Sequence, residues 1–273
     1  MEYLKLSGGT LYDPTNGIDG EVRDLWVQGG RIVEQPLNLT DSEFKTIDLR
    51  GMVVMPGAVD MHCHIAGPKV NTARKMQPEQ TRAAVQASHV TDGSWFHGGS
   101  LASVPSIFTT GYKYTGLGYT TCFDAAISPL AARHVHREFE QIPNVDTGFF
   151  ALVGNNHFVM KCVAENDDLG LQAFLGWLMN RAGAFAPKIV NPGGVELWKQ
   201  SRKGNARDLD QSVDGFNVTP RQIIQSVTRA ANKLRLPHPV HIHTNNLGMP
   251  GNWETTLETL KSVEGLKAHL THI

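Results

Sequence analysis

The sequence predicts an α/β protein: a (β/α) barrel with about six of the eight strands that a closed barrel needs, preceded by a small N-terminal β unit. Three observations carry this. An apolar run, Met52-Val53-Val54-Met55-Pro56-Gly57-Ala58-Val59, leads into Asp60-Met61-His62-Cys63-His64, as a strand buried on both faces would. From Gly118 onward strand patterns alternate with helix patterns, the rhythm of βα units. Histidines or a lysine recur where those strands end. The expected division is residues 1–50 for the β unit, as part of a β-sandwich, and 51–273 for the barrel.

Residues 1–50 read as short strands and tight turns. Asp13-Pro14-Thr15-Asn16-Gly17 has turn composition, and Gly29-Gly30 joins Asp24–Gln28 to Arg31–Val33 as a hairpin. A unit this small buries little core and needs partner strands from elsewhere in the chain. Residues 36–46 form a polar loop, and Ile47–Gly51 leads into the central strand. Residues 66–117 are rich in Gly, Ser, Thr and Pro, with a weak helical pattern near 78–90. A connection of that length is more often functional than idle.

Gly118–Ala125 is the second barrel strand. Ser128-Pro129 then supplies an N-cap and an N1 proline to a helix reaching about Phe139. Thr147–Val153 is the third strand, followed by an amphipathic helix from Leu169 to Met179. Pro187–Val190 is the fourth. Thr219-Pro220-Arg221-Gln222 combines an N1 proline with capping-box spacing, opening a helix with Ile223, Ile224, Val227, Ala231 and Leu234 on its apolar side. Val240–His243 is the fifth strand, 253–263 a helix, and a sixth strand runs into His272.

A formal charge of -1 over 273 residues offers no basic surface for nucleic acid or an anionic membrane. No apolar run approaches the roughly 20 residues of a bilayer span, and no signal-peptide pattern opens the chain. Cys63, Cys122 and Cys162 are scattered, which speaks against a disulfide framework and fits a reducing cytoplasm.

The chemistry starts from His62 and His64. Residues two apart on a strand face the same side, so two imidazoles converge at the strand's carboxyl end, a nucleus for a zinc-class site. A bare His-X-His also occurs as two polar residues at a strand end. Here, however, Lys188, His243 and His272 fall at the ends of the fourth, fifth and sixth strands. In a parallel barrel those ends gather on one face. A protonated lysine has no lone pair, so Lys188 belongs to such a centre only if deprotonated or converted by carbon dioxide to an anionic, bidentate carbamate. Otherwise it pairs with a carboxylate or reaches solvent.

His241 points to the His243 side, one layer deeper, and reads as a packing residue or as a partner behind a ligand. His269 is expected to face away from His272 and to be structural. His89, His97, His134, His136, His157 and His238 have no spacing argument. Asn155-Asn156 and Asn245-Asn246 follow strand ends, where their amides either orient a substrate or form turns.

These residues resemble the amidohydrolase superfamily of metal-dependent hydrolases. The match runs over the small β unit, Val54-Met55-Pro56-Gly57-Ala58-Val59-Asp60-Met61-His62-Cys63-His64, Gly118-Tyr119-Thr120-Thr121, His243 and His272. More narrowly, the chain is similar to the family of amidohydrolase-type subunits found in formylmethanofuran dehydrogenases and bacterial formyltransferase/hydrolase complexes. That rests on Ile65-Ala66-Gly67-Pro68-Lys69-Val70-Asn71, Gly154-Asn155-Asn156-His157-Phe158-Val159-Met160 and Lys188-Ile189-Val190-Asn191-Pro192-Gly193-Gly194. It continues through His243-Thr244-Asn245-Asn246-Leu247-Gly248 and Pro250-Gly251-Asn252-Trp253-Glu254-Thr255-Thr256.

The resemblance implies two zinc ions, one on His62 and His64, the other on His243 and His272, bridged by carboxylated Lys188. It also implies a methanofuran-type carrier as substrate, a role in one-carbon metabolism (methanogenesis or methylotrophy), and the other subunits of such a complex as partners. Its members use an aspartate at the end of strand eight as metal ligand and proton shuttle. That strand is not in this sequence, so the 273 residues alone are expected to be inactive. A cyclic amidase of the dihydroorotase or hydantoinase type, and a non-catalytic assembly protein, are the competing readings.

Overall fold

The computed structural model describes residues 2–40, 42–76, 107–201 and 204–272. The chain divides into two compact units, Met1–Ala58 and Val59–Ile273. The weak helical pattern at 78–90, with His89 and His97, lies outside the described residues.

The first unit is a five-stranded sheet built around β1 (Tyr3–Asp13). On one side β1 pairs antiparallel with β2 (Ile18–Gln28), which forms the Gly29-Gly30 hairpin with β3 (Arg31–Val33). On the other side it pairs in parallel with β4 (Phe44–Asp48) and then β5 (Val53–Val54). β4 takes in Phe44, Lys45 and Thr46, the end of the stretch expected to be a polar loop, so one partner strand comes from within residues 1–50 itself. Gly17 closes the turn after β1 at φ +70°, donating its N–H to the Pro14 carbonyl, a conformation that glycine adopts without strain. Trp26 is buried against Phe44, ring centroids 4.9 Å apart.

The run from Met52 to Val59 is not one strand buried on both faces. Val53 and Val54 belong to β5, and β6 covers only Ala58–Cys63. Met55 and Val59 are 66% and 52% exposed. Pro56 has no N–H to offer a ladder, so Pro56-Gly57 breaks the run, and among the described residues β6 is the last strand of its sheet.

The second unit holds a six-stranded sheet in the sequential order β6, β7 (Tyr119–Ile127), β8 (Asp146–Leu152), β9 (Ala186–Val190), β10 (Val240–His243), β11 (Ala268–Thr271). Strands β7 to β11 pair in parallel. Each strand is added beside its predecessor, which is how a (β/α) barrel winds. The six strands and the small β sheet agree with the architecture expected from sequence.

Helices α1 (Gly67–Arg74), α2 (Phe108–Gly116) and α3 (Ala132–Phe139) come early in this unit. They are followed by α4 (His157–Ala164), α5 (Asp168–Ala182), α6 (Gly194–Ser201), α7 (Pro220–Leu234) and α8 (Trp253–Ser262). Local chemistry sets their ends. Asn156 accepts from Phe158 N–H and Val159 N–H, Asp167 accepts from Gly170 N–H, and Thr219 with Gln222 forms the complete capping box. Helices α1 and α2, in the stretch expected to be a long connection, and α4 and α6 escaped the periodicity argument because they are short, and in α4 Val159, Met160, Cys162 and Val163 make a nearly continuous apolar run.

The core lies between sheet and helices, with Phe149, Met160, Leu171, Leu175, Ile189, Ile223 and Ile224 fully buried. The sheet is curled. Strands β6 and β11 stand at opposite ends of the strand order, yet the rings of His62 in β6 and His272 just past β11 approach to 4.2 Å.

The capping box gives a direct test. Thr219→Ala removes one acceptor from the first turn of α7 and should cost about 1 kcal/mol in chemical denaturation; an unchanged midpoint would show that the box contributes nothing to stability.

Candidate active site

His62 lies one residue before the end of β6 and His64 just beyond it, rings 5.5 Å apart. Asp60 orders this strand end, accepting from His62 N–H at 2.9 Å and from Tyr114 Oη at 3.1 Å. His243 ends β10, and His272 follows β11, with 5.1 Å between their rings. Lys188 sits in the middle of β9 rather than at its end, one register row below Val190 and His243. Its side chain reaches the same space. His62, His64, Lys188, His243 and Asp124 line one cavity of about 880 Å³, with Leu152, Ile127 and Val190 among its apolar walls.

Lys188 is 1% exposed, and its nearest polar partner is Thr271 Oγ1 at 3.5 Å. Burial pulls its pKa from the ordinary 10.5 down to about 7, because an ammonium loses hydration there without gaining a carboxylate. Burial, and then the Lys188 charge, also lower His62 and His243 to about 4 each. The two effects limit one another, since a neutral Lys188 no longer repels imidazolium and leaves the burial part alone. Either way the imidazoles are neutral at neutral pH, the state a metal ligand requires.

His241 occupies the layer below. It is fully buried, is the register partner of Lys188, and shares a 2.8 Å hydrogen bond between its Nε2 and His62 Nδ1. That is the deeper layer expected for it. His269 is not turned away as expected. It is the register partner of His241 and stacks on it at 4.5 Å. Strand alternation does not reach His272, because β11 stops at Thr271 and His272 turns at φ +58°, out of strand geometry.

The asparagines act in loops. Asn245 is fully buried and donates to the Pro192 carbonyl at 3.0 Å, its own Oδ1 unpartnered. Asn246 donates to the Ala206 carbonyl and sits at φ +57°. Asn155 donates to the Val190 carbonyl. These are the contacts of turn formers, and neither Asn245 nor Asn246 is among the residues lining the large cavity.

Sequence reasoning missed Asp124 and Glu138. Asp124, 1% exposed, accepts from Ile65 N–H, Ala66 N–H and Ala126 N–H, and its Oδ1 lies 3.8 Å from His64 Nδ1. The strand-end rule that singled out the histidines applies equally to Asp124, late in β7. Glu138, fully buried, accepts from Gly67 N–H and the Asn71 amide and approaches His134 Nε2 at 3.2 Å. It shares the buried face of α3 with Ala132, Val135 and Phe139, where the spacing gives a place but no partner for a carboxylate.

The amidohydrolase family model matches residues 45–272. Protein FwdA of Methanocaldococcus jannaschii is 45% identical over 269 residues, covering 98% of this chain and 45% of that protein. The FhcA component of the formyltransferase/hydrolase complex of Methylorubrum extorquens is 31% identical over 271 residues, 98% of this chain and 46% of its own length. The chain thus spans about half the length of these curated relatives. Among solved structures, the formyltransferase/hydrolase complex of Methylorubrum extorquens with methylofuran superimposes with a TM-score of 0.82 at 29% identity, covering 98% of this chain and 47% of that one. A dihydroorotase of Streptococcus pneumoniae matches only 39% of the chain, at 35% identity.

The Lys188 environment predicts a pH signature for metal-free protein kept free of carbon dioxide. Between 10.5 and about 7 the unfolded chain takes up a proton that the folded chain resists, so stability falls as pH falls through that window. The penalty is complete below 7. Lys188→Met should therefore be more stable than the parent at pH 6.5, by on the order of a few kcal/mol in urea denaturation, with the advantage closing toward pH 10.5. A pH-independent difference would contradict this account of the lysine.

Proposed function

The chain belongs to the amidohydrolase family, and on that premise we propose that it carries the hydrolase site of a formylmethanofuran dehydrogenase or formyltransferase/hydrolase complex. In this reading a binuclear zinc subunit hydrolyses N-formylmethanofuran to formate and methanofuran, or condenses the two in reverse. The other subunits of the complex are its partners, and its place is in cytoplasmic one-carbon metabolism.

The observation that carries the reading is Lys188: a buried amine, without a carboxylate, sharing a cavity with His62, His64 and His243, while the His272 ring stands 4.2 Å from that of His62. As a structural ion-pair residue it would lack its partner. As a neutral amine its Nζ can add to carbon dioxide, releasing a proton and becoming a bidentate carbamate. His62 and His64 would then hold one zinc-class ion and His243 and His272 the other, with the Lys188 carbamate as a shared anionic donor. When bound, such a pair supplies Lewis-acid polarisation of a formyl carbonyl and a water acidified toward neutrality.

The chain's own residues prepare that chemistry. His241 fixes the orientation of the His62 ring through their hydrogen bond. Asp124 holds residues 65 and 66 by their N–H groups, and so sets the backbone carrying His64. Leu152, Val190 and Ile127 wall the cavity with apolar surface, which excludes water from a bound amide. Asn245 and Asn246 shape the loop beyond His243 and act on a substrate through that loop.

In the assembled complex, release of formate from N-formylmethanofuran should be lost in Lys188→Ala and His243→Ala together with bound zinc, while hydantoin and dihydroorotate are not turned over. Turnover of the cyclic amides but not of the formyl amine would move the chain to the cyclic-amidase reading. Full activity in a zinc-free complex would end the binuclear reading. Asp124→Asn, which weakens the hold on the His64 segment, should reduce zinc affinity by about 10–100-fold, measured by competition with a chelator.

A further inference from the structure

One layer below the site just described, three more histidines converge. His241 in β10 and His269 in β11 stack at 4.5 Å with 17° between their planes. His238, just before β10, lies 5.8 Å from the first ring and 5.3 Å from the second. One nitrogen from each ring is within 4.8 Å of one from each of the others.

The hydrogen bonds say which nitrogens are available. His238 Nδ1 donates to the Pro239 carbonyl at 2.7 Å; a carbonyl only accepts, so this nitrogen holds the proton and Nε2 keeps its lone pair. His241 Nε2 is engaged by His62, while its Nδ1 is buried with no partner, an arrangement that costs roughly 1–3 kcal/mol if nothing fills it. His269 is held by stacking rather than by a hydrogen bond. Burial disfavours the imidazolium at all three rings.

We propose that His238, His241 and His269 bind one zinc-class divalent ion at a position separate from the pair assigned above. Zinc–nitrogen bonds of about 2.0–2.1 Å place tetrahedral nitrogens about 3.4 Å apart, so the rings must close in from their present spacing. A turn of His269 about χ2, out of its stack on His241, supplies that movement. Three imidazoles leave a fourth position for water.

The same geometry couples the two levels. An ion on His241 Nδ1 puts the ring's single proton on Nε2, which then donates to His62 Nδ1. His62 in turn holds its own proton on Nε2 and has no lone pair there for a metal. With an ion on His62 Nε2 the protons run the other way, and His241 Nδ1 is the protonated atom. While the rings stay neutral, the lower ion and an ion on His62 Nε2 exclude each other. This exclusion rests on the reading of His62 as a ligand; the lower site does not.

The test uses the full-length protein equilibrated with zinc alone, freed of unbound metal and measured by mass spectrometry of the element. His62→Ala removes the competitor and leaves His241 Nδ1 available. It should retain one more zinc per chain than His62→Ala/His269→Ala and than His62→Ala/His238→Ala. Equal zinc in the single and both double variants overturns the proposal. His238 precedes the strand and is half-buried, so its replacement should be tolerated even if loss of the stacked His269 perturbs β11. Zinc in the unsubstituted protein reports separately on the binuclear reading, so that reading can fail while the lower site stands.

Discussion

A single hydrogen bond, between His62 and His241, constrains more of this protein than any other contact in the site. It joins the first strand of the sheet to the fifth, which flat neighbours in that order could never do. For the two rings to meet at 2.8 Å the sheet must curl, and the curl is what brings His64, Lys188 and His243 around one cavity and the His272 ring to 4.2 Å from that of His62. The bond also fixes which way the His62 ring faces and how its protons are distributed. Fold and chemistry are therefore set by the same pair of nitrogens.

Around that pair the chain uses buried carboxylates as fasteners for backbone rather than as partners for cations. Asp124 gathers three N–H groups and Glu138 gathers another, all from the turn and helix after His64 or from the strand beside it. Arg74, itself buried, donates to the Ile65 carbonyl and to the Asn71 side chain. A segment that must leave a strand, carry a histidine and enter a helix has many backbone groups without ladder partners. These side chains satisfy them inside the protein, where water is scarce. Lys188 is the exception, a buried charge-bearing group that nothing comparable satisfies.

Much of this was legible beforehand because periodicity and strand ends are local. The six strands, the capping box at Thr219 and the gathering of His62, His64, Lys188 and His243 follow from pattern and from the geometry of parallel sheets. What escaped depended on neighbours distant in sequence. Asp124 looks like any polar residue in a strand until the segment after His64 folds over it. The apolar residues before His62 suggested a doubly buried strand, but strand order made β6 terminal. His269 was misplaced because a left-handed residue at His272 ended the alternation on which the argument relied. Asn245 and Asn246 were balanced between two roles, and contacts with Pro192 and Ala206, 53 and 40 residues away, decide their placement.

The strictly sequential strand order also bears on how the chain acquires its shape. Every strand from β7 to β11 pairs beside the one made just before it, so the sheet can grow by short-range additions as synthesis proceeds, each closing a modest loop. The His62–His241 bond is different, spanning 179 residues. It cannot form until the fifth strand has docked, and before then His62 lacks this partner. Assembly of the pocket is thus a late event, coincident with the moment when the growing sheet first bends far enough to meet its own beginning.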